Sequence, residues 1–436
     1  MGILKRNIIK NGVSSSLATA VRACEQLVLI PFYISAWGAT EYGEWLTITA
    51  IPTMLAFADF GFGTAISNSF VLSYVSNDKD KAASIAKTGF LIMGAVIFTC
   101  ILLSLLIIVS LQNIGVFNQL IFKEQDTILS LSCLLGARII GFIGTYSQGY
   151  YRALRLAALG INIKTGYNIF NVILILFILY IKGDIVLLAF SQLLSSLIYN
   201  IGNTVYSFHR IKLDNWRESP LLSKSEIISI TQKGISYLAA PISQSLYNQG
   251  ITLLIRISIG AYAVTVFNTL KTLSRSINQV ISIIKNSIFP ELQYEIGKGN
   301  YKSVQKVYCL AQYGSVSIAI FSSVLLLLFG NKIYNWWINE NINIESHLWY
   351  IFILIIITNS IWWTSSAVFA ASNKPQKLAI GDIVSSFISV LTSYILGLKY
   401  EITGFAIGLL IYEIMMTIWV LPNSRNLIYH NTNKSD

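Results

Sequence analysis

The sequence predicts an all-α integral membrane protein of about twelve transmembrane helices, arranged as two six-helix bundles around a central cavity. Three observations predict this class. Of 436 residues, 54% are hydrophobic and only 12% charged, whereas a soluble domain carries roughly 25% charged residues. Apolar stretches of about 20 residues, enough to cross a hydrocarbon core, recur from end to end, where a soluble α/β chain would alternate short apolar strands with amphipathic helices. The largest polar interruption, from about His209 to Ser225, leaves no room for a soluble catalytic or nucleotide-binding module. No Gly-rich loop ends in Lys-Ser or Lys-Thr, so no P-loop binds ATP, and no cofactor is expected.

Taken in order, the first span falls near 11–36. The residues before it include Lys5, Arg6 and Lys10, a basic start like that of a signal peptide. The span itself holds Arg22 and Glu25 and no obvious cleavage site, so it should remain as helix 1. Breaks in the apolar pattern place the next helices near 42–73, 83–111, 127–151, 158–181 and 185–207, and then 228–257, 261–289, 304–330, 347–371, 376–398 and 402–422. The domains read as an N-terminal lobe at 1–207, a cytoplasmic linker at 208–226, a C-terminal lobe at 227–424 and a cytoplasmic tail at 425–436.

Twelve spans put both termini on one side. The loops on that side carry twenty-one Lys and Arg residues, and the opposite loops carry five, Lys123, Lys182, Arg256, Lys332 and Lys399. Positive charge resists translocation against the membrane potential, so both termini should be cytoplasmic. The formal net charge of +11 therefore records topology. It is spread over loops rather than gathered on a face, which argues against nucleic acid as a partner.

The linker divides six helices from six. An offset of 222 positions pairs Gly12 with Gly234, Val13 with Ile235, Ser14 with Ser236 and Gly38 with Gly260, and an offset of 221 pairs Ala158 with Ala379 and Gly160 with Gly381. Because six is even, such copies would be parallel repeats about an axis along the membrane normal.

A charge at mid-bilayer costs roughly 3 kcal/mol or more, so ionisable residues inside spans are functional candidates. Helix 8 is the most informative. Lys271, Arg275, Asn278, Ser282 and Lys285 follow spacings of four, three, four and three, which places them on one helical face. This cationic stripe is expected to line a watery, anion-attracting cavity, with interhelical ion pairs as the alternative. Arg22 and Glu25 stand three apart in helix 1 and either neutralise each other or let the carboxylate exchange a proton or sodium ion. Asp59, in Asp59-Phe60-Gly61-Phe62-Gly63, mimics a kinase magnesium motif without its context; it pairs a cavity cation or caps freed amides. Arg138 precedes Gly141, Gly144 and Gly149, a small-residue face suited to close helix contact. Glu413, alone in helix 12, needs a hydroxyl or cation as partner.

Other chemistry-bearing residues read more plainly. Cys24, Cys100, Cys133 and Cys309 fall in or beside apolar spans at no metal-like spacing, as buried small apolar residues do. His209, His347 and His430 lie in loops or at span ends, so no metal site is expected. Trp336, Trp337, Trp349, Trp362 and Trp363 read as an interfacial belt, although one or two could stack on sugar rings.

The chain resembles the polysaccharide-transporter branch of the multidrug/oligosaccharidyl-lipid/polysaccharide exporter superfamily, especially bacterial O-antigen flippases. The resemblance rests on a first helix with an arginine that ends Leu29-Ile-Pro-Phe-Tyr-Ile-Ser-Ala-Trp-Gly38, on Glu41-Tyr-Gly-Glu-Trp45 and on Asp59-Phe-Gly-Phe-Gly63. It implies a non-enzyme that moves a sugar repeat unit on undecaprenyl pyrophosphate between leaflets by alternating access. Arg22 matches an arginine important in related lipid II flippases. Those relatives typically add two further helices that this chain lacks. The resemblance also implies membrane lipids as surroundings, a proton or sodium ion for coupling, and a polysaccharide polymerase as partner. Arg22, Arg138, Lys271, Arg275, Asn278 and Lys285 would then bind the substrate, and Glu25, Asp59 and Glu413 would be cavity or coupling carboxylates. A multidrug cation antiporter is the nearest alternative, and buried cations outnumbering buried carboxylates argue against it. A membrane polysaccharide polymerase is more distant, because no outward loop exceeds about 20 residues, roughly one span in length.

Overall fold

The computed structural model describes residues 2–55, 61–213, 216–236, 239–338, 344–372 and 375–432. Among these there is no strand. The elements are α1 (Gly2–Trp37), α2 (Ala39–Leu55), α3 (Phe62–Val75), α4 (Lys79–Asn113), α5 (Glu124–Gly141), α6 (Gly144–Ala153), α7 (Ala157–Tyr180) and α8 (Ile185–Ile211). They continue as α9 (Lys224–Ser236), α10 (Ala239–Ser245), α11 (Ile251–Ser258), α12 (Ala261–Gly297), α13 (Tyr301–Ile338), α14 (Ser346–Ser365), α15 (Ala367–Ala371) and α16 (Pro375–Thr432).

Eight described helical segments are long and apolar enough to cross a membrane, and the protein is a multi-pass membrane protein. The expected count of about twelve agrees once four other spans are recognised. Helices α2 and α3, of 17 and 14 residues, are each short alone. Helices α9, α10 and α11, with a π turn between the last two, are likewise each short alone, and α12 carries three cations within its apolar part. The last apolar segment, Gln376–Ile428, holds two spans, because Tyr400 and Glu401 leave helical geometry, Glu401 with φ 49°.

The chain forms two compact units, Met1–Pro241 and Ile242–Asp436. In the first, α1 packs along α7, α5 along α8, and α3 against α4, α6 and α9. Gly38, with φ +85°, adopts a left-handed conformation open mainly to glycine and turns the chain from α1 into α2. At that end Trp37 donates to the Gly183 carbonyl at 3.1 Å, and the Ile121 amide donates to the Glu44 carboxylate at 2.9 Å. Lys123 and Lys182 neighbour these contacts in sequence, so two of the five minority cations share an end. The other end is rich in cations. Lys87 donates to the Arg217 and Ser219 carbonyls, the Leu222 amide donates to Thr88, and Lys81 pairs with Glu226 at 3.4 Å. The linker between the halves is thereby strapped to α4.

Glycines carry the α6 packing. A Cβ at Gly149 would meet Ser67 Oγ on α3 at 2.1 Å, and one at Gly144 would meet Asn200 Oδ1 on α8 at 2.2 Å, while Gly141 has open space. Two of the three expected small-residue contacts are thus made.

In the second unit α14 packs against α13 and α16, and α12 against α13 and α14. One apolar cluster gathers Leu292, Val304, Tyr308, Val368 and Ile428, and another Trp362, Phe369, Tyr412, Met416 and Val420. Gly260, paired with Gly38 by the internal repeat, also has positive φ, +129°, and likewise sits between the first and second spans of its half. Cys100 and Cys133 are buried, whereas Cys309 is half-buried and Cys24 exposed. The expectation of burial therefore fails for Cys24, which is exposed on α1.

Candidate functional site

The second unit holds a cavity of about 210 Å³. Four of the five residues of the α12 stripe, Lys271, Arg275, Asn278 and Ser282, line it, together with Ser274 and Gln279 of the same helix. The regular 3.6-residue turn of α12 carries them all to one wall. The opposite wall comes from α14 and α16, with Asn359, Trp362, Trp363, Tyr412 and Glu413. A third wall is the π turn Leu246–Gly250, whose wider backbone, a feature frequent at functional positions, supplies Tyr247 and Asn248.

Lys271 is buried, 6% exposed. Its ammonium donates to the Asn248 carbonyl at 3.1 Å and lies 5.6 Å from the Tyr247 ring centre, which leaves it short of partners for three protons. Arg275 makes no hydrogen bond or ion pair among the described residues, although Tyr247 and Glu413 lie within its electrostatic reach. The Asn248 amide donates to the Gln244 carbonyl at 2.7 Å, which fixes its orientation, and its Oδ1 is buried without a partner, as is Asn278 Oδ1. Buried polar atoms normally find partners, so these two acceptors and Lys271 are open to something that enters the cavity, as is Arg275, which is exposed.

Glu413 is buried, 3% exposed, and held by three donors. It accepts from Tyr247 at 3.1 Å, Asn359 at 3.0 Å and Trp362 at 2.5 Å. The expected partner, a hydroxyl or a cation, is a tyrosine hydroxyl joined by an amide and an indole. Tyr412 donates to Asp382 at 2.6 Å and its ring stacks 4.1 Å from that of Tyr247. The cavity thus has an aromatic floor backed by two carboxylates.

Lys285, the last residue of the stripe, does not line the cavity. Its ammonium sits 3.4 Å from the centre of the Trp363 ring, whose indole donates to Ser282 at 2.8 Å. The belt expectation is corrected for three tryptophans. Trp362 and Trp363 belong to the cavity, and Trp349 is buried, 6% exposed, and donates to Asn331 at 2.7 Å; Trp336 alone, 84% exposed, keeps the outward position of a belt residue.

The first unit has its own polar pocket, about 230 Å³, between α1, α6 and α7. Ser15, Thr19, Arg22, Gln148, Lys164 and Asn168 line it. Arg22 contacts the Ala18 carbonyl at 3.3 Å and Thr19 Oγ1 at 3.5 Å, and forms no ion pair with Glu25, so direct neutralisation of that pair is not made. Glu25 lies within electrostatic reach of Arg22 and Arg138, and Lys164 within reach of both arginines. Arg138 stands in the last turn of α5 and does not line the pocket. Asp59 lies outside the described residues.

Several cavity residues escape a reading of charge and periodicity. Tyr247 and Asn248 depend on the π turn, which no pattern announces. Lys164 reads as a membrane-end cation, yet α7 begins at Ala157 and carries it two turns in. Asn359 and Asp382 do leave a signal, a polar residue inside an apolar run.

Two helical units, each with a polar pocket among its spans, define a fold shared with membrane transporters. Solved structures with this fold include a multidrug resistance MATE family transporter of the MOP superfamily, inward-facing, with 16% identity, a TM-score of 0.73 and coverage of 99% of this chain and 100% of that one. The outward-facing form has a TM-score of 0.63 at 16% identity, covering 98% and 97%. A MOP superfamily transporter from Pyrococcus furiosus Vc1 (DSM3638), described as having a binding pocket of reverse polarity that suggests a different function, has a TM-score of 0.61 at 15% identity, covering 97% and 96%. No match is found among curated proteins. The model of the family described as polysaccharide biosynthesis protein matches residues 8–293. The chain belongs to the polysaccharide biosynthesis protein family.

Proposed function

We propose that this protein is a flippase that moves undecaprenyl-pyrophosphate-linked O-antigen repeat units from the cytoplasmic to the periplasmic leaflet of the bacterial inner membrane by alternating access, with both termini cytoplasmic. One observation carries the reading: Lys271 and Arg275 line a cavity inside the second unit with protons to offer and no anion paired to them. The anionic headgroup of a lipid-linked glycan cannot cross hydrocarbon unaided, and basic side chains without a paired anion supply charge-assisted hydrogen bonds to its acidic groups while the lipid tail stays in the bilayer. Family membership in polysaccharide biosynthesis supports a glycan as cargo. Arg22, with Lys164, offers a second basic pocket in the first unit. Arg138, Asn278 and Lys285 complete the proposed binding set, and Glu25, Asp59 and Glu413 are the carboxylates through which a proton or sodium gradient would couple. Translocation needs no catalytic group, so the protein is read as a non-enzyme, with a polysaccharide polymerase consuming what it delivers.

A second reading, a multidrug cation antiporter, draws on Glu413 in the cavity wall. Glu413 already accepts from three donors and shares the cavity with two cations that have no paired anion, an arrangement hostile to a cationic drug. The test is surface polysaccharide. Arg275→Ala and Arg22→Ala are each expected to abolish surface O-polysaccharide at unchanged protein level; normal polysaccharide in both would refute the assignment, and drug sensitivity with intact polysaccharide would favour the antiporter.

A further inference from the structure

The two pockets differ in chemistry, and the difference sorts the parts of a lipid-linked glycan. The pocket of the first unit offers cations, hydroxyls and amides but no aromatic ring. The cavity of the second unit adds five aromatic residues, Tyr247, Phe352, Trp362, Trp363 and Tyr412. Aromatic faces contribute little to binding a diphosphate, whereas they suit the C–H face of a sugar ring, an apolar surface edged with hydroxyls.

The polar atoms narrow the ligand further. Asn248 Oδ1 and Asn278 Oδ1 are buried acceptors without partners, and Asn248 cannot turn its NH₂ inward without giving up its bond to the Gln244 carbonyl. An ionised diphosphate has only acceptors and cannot satisfy them; a sugar hydroxyl can. Lys271 and Arg275 conversely need an acceptor. Counting formal charges, these two cations and Glu413 leave the cavity one positive charge, which one carboxylate neutralises and a multiply charged diphosphate exceeds.

Resting on the flippase reading, we propose that the cavity of the second unit is the subsite for one acidic sugar residue of the transported glycan, its hydroxyls on Asn248 and Asn278, its carboxylate on Lys271 and Arg275, its ring against Trp363. The glycan is therefore of the uronic-acid class, and the cavity acts as a specificity filter separate from diphosphate recognition.

The experiment is saturation-transfer NMR on the full chain in lipid nanodiscs, titrated separately with methyl glucuronide, methyl glucoside and inorganic pyrophosphate. Methyl glucuronide is expected to bind saturably and about tenfold more tightly than methyl glucoside, a gap of about 1.4 kcal/mol. Asn278→Leu and Arg275→Met should each weaken glucuronide binding by about tenfold. Arg275→Lys, which keeps the charge, should stay within about threefold and guards against a variant that merely misfolds. Equal affinity for the two glycosides overturns the proposal, as does pyrophosphate binding that Arg275→Met abolishes while glucuronide shows no saturable contact. Failure of the wild-type protein to translocate any lipid-linked glycan would instead overturn the flippase reading and leave the binding result standing.

Discussion

At the scale of single residues, Glu413 has the largest structural role in the second unit's cavity, because one donor from the π turn and two from α14 converge on its carboxylate. Removing a buried acceptor leaves each donor to bear its desolvation cost of about 1–3 kcal/mol. Glu413→Leu should therefore destabilise the protein by about 3 kcal/mol or more, read as a lowered midpoint of thermal unfolding in detergent, and Glu413→Gln, which keeps one carbonyl oxygen, by clearly less. Equal losses would show that the three contacts are not jointly stabilising.

A second residue-scale case lies outside the membrane. Ser223 and Glu226 form a capping box at the start of α9: the Ser223 amide and hydroxyl donate to Glu226 Oε2 at 3.0 and 2.8 Å, and the Glu226 amide points back to Ser223 Oγ at 3.4 Å. These Ser223 donors, with Lys81 beside them, hold the Glu226 carboxyl below its ordinary range. A carboxylate with a depressed pKa in the folded state contributes stability above its unfolded value, near 4.3, and loses it as pH falls through the folded value. Hydrogen exchange of the first turn of α9 should accordingly rise, after correction for intrinsic rates, when pH drops below about 4, and the rise should vanish in Glu226→Gln. A pH-independent profile in the wild type would contradict the cap.

At the scale of elements, α6 is held by close approach. Overpacking costs about 1–3 kcal/mol, so Gly149→Leu, which drives a side chain into Ser67 on α3, should lower the unfolding midpoint. Gly141→Ala, with open space around its Cβ, should leave it unchanged or raise it through better helix propensity. The reverse order would refute the close contact of α6 with α3. This small-residue face was legible because glycine spacing reports where backbones can meet. The α12 stripe was legible for a related reason: charges inside an apolar run stand out, and their spacing alone names the helical face. Lys285 shows where periodicity stops. It continues the stripe in sequence but ends over the Trp363 ring, a contact set by α14 that α12 cannot announce. Trp362 and Trp363 were misread because an indole, apolar with one polar N–H, fits a membrane interface and a buried cavity wall equally well.

At the scale of the molecule, hydropathy alone indicated an all-helical multi-pass protein, since a hydrocarbon solvent forces backbone groups to pair within each span. The expected internal repeat pairs Gly38 with Gly260, and both have positive φ between the first and second spans of their halves. The placement of the cavity was less visible. It depends on a π turn, on donors from that turn and from α14 meeting at Glu413, and on amide acceptors left open. None of these leaves a periodic trace.

The account turns on whether basic residues inside the spans that lack a paired anion receive the anionic headgroup of a lipid-linked glycan and carry it across the bilayer. The direct measurement is leaflet-to-leaflet movement of a fluorescent undecaprenyl-pyrophosphate oligosaccharide in proteoliposomes with the full chain, scored by a membrane-impermeant quencher. Wild-type protein is expected to expose the label at a rate that falls at least tenfold in Arg275→Ala, with reconstitution matched. An unchanged rate in Arg275→Ala and Arg22→Ala alike, or no movement above protein-free vesicles in the wild type under an imposed ion gradient, would contradict it.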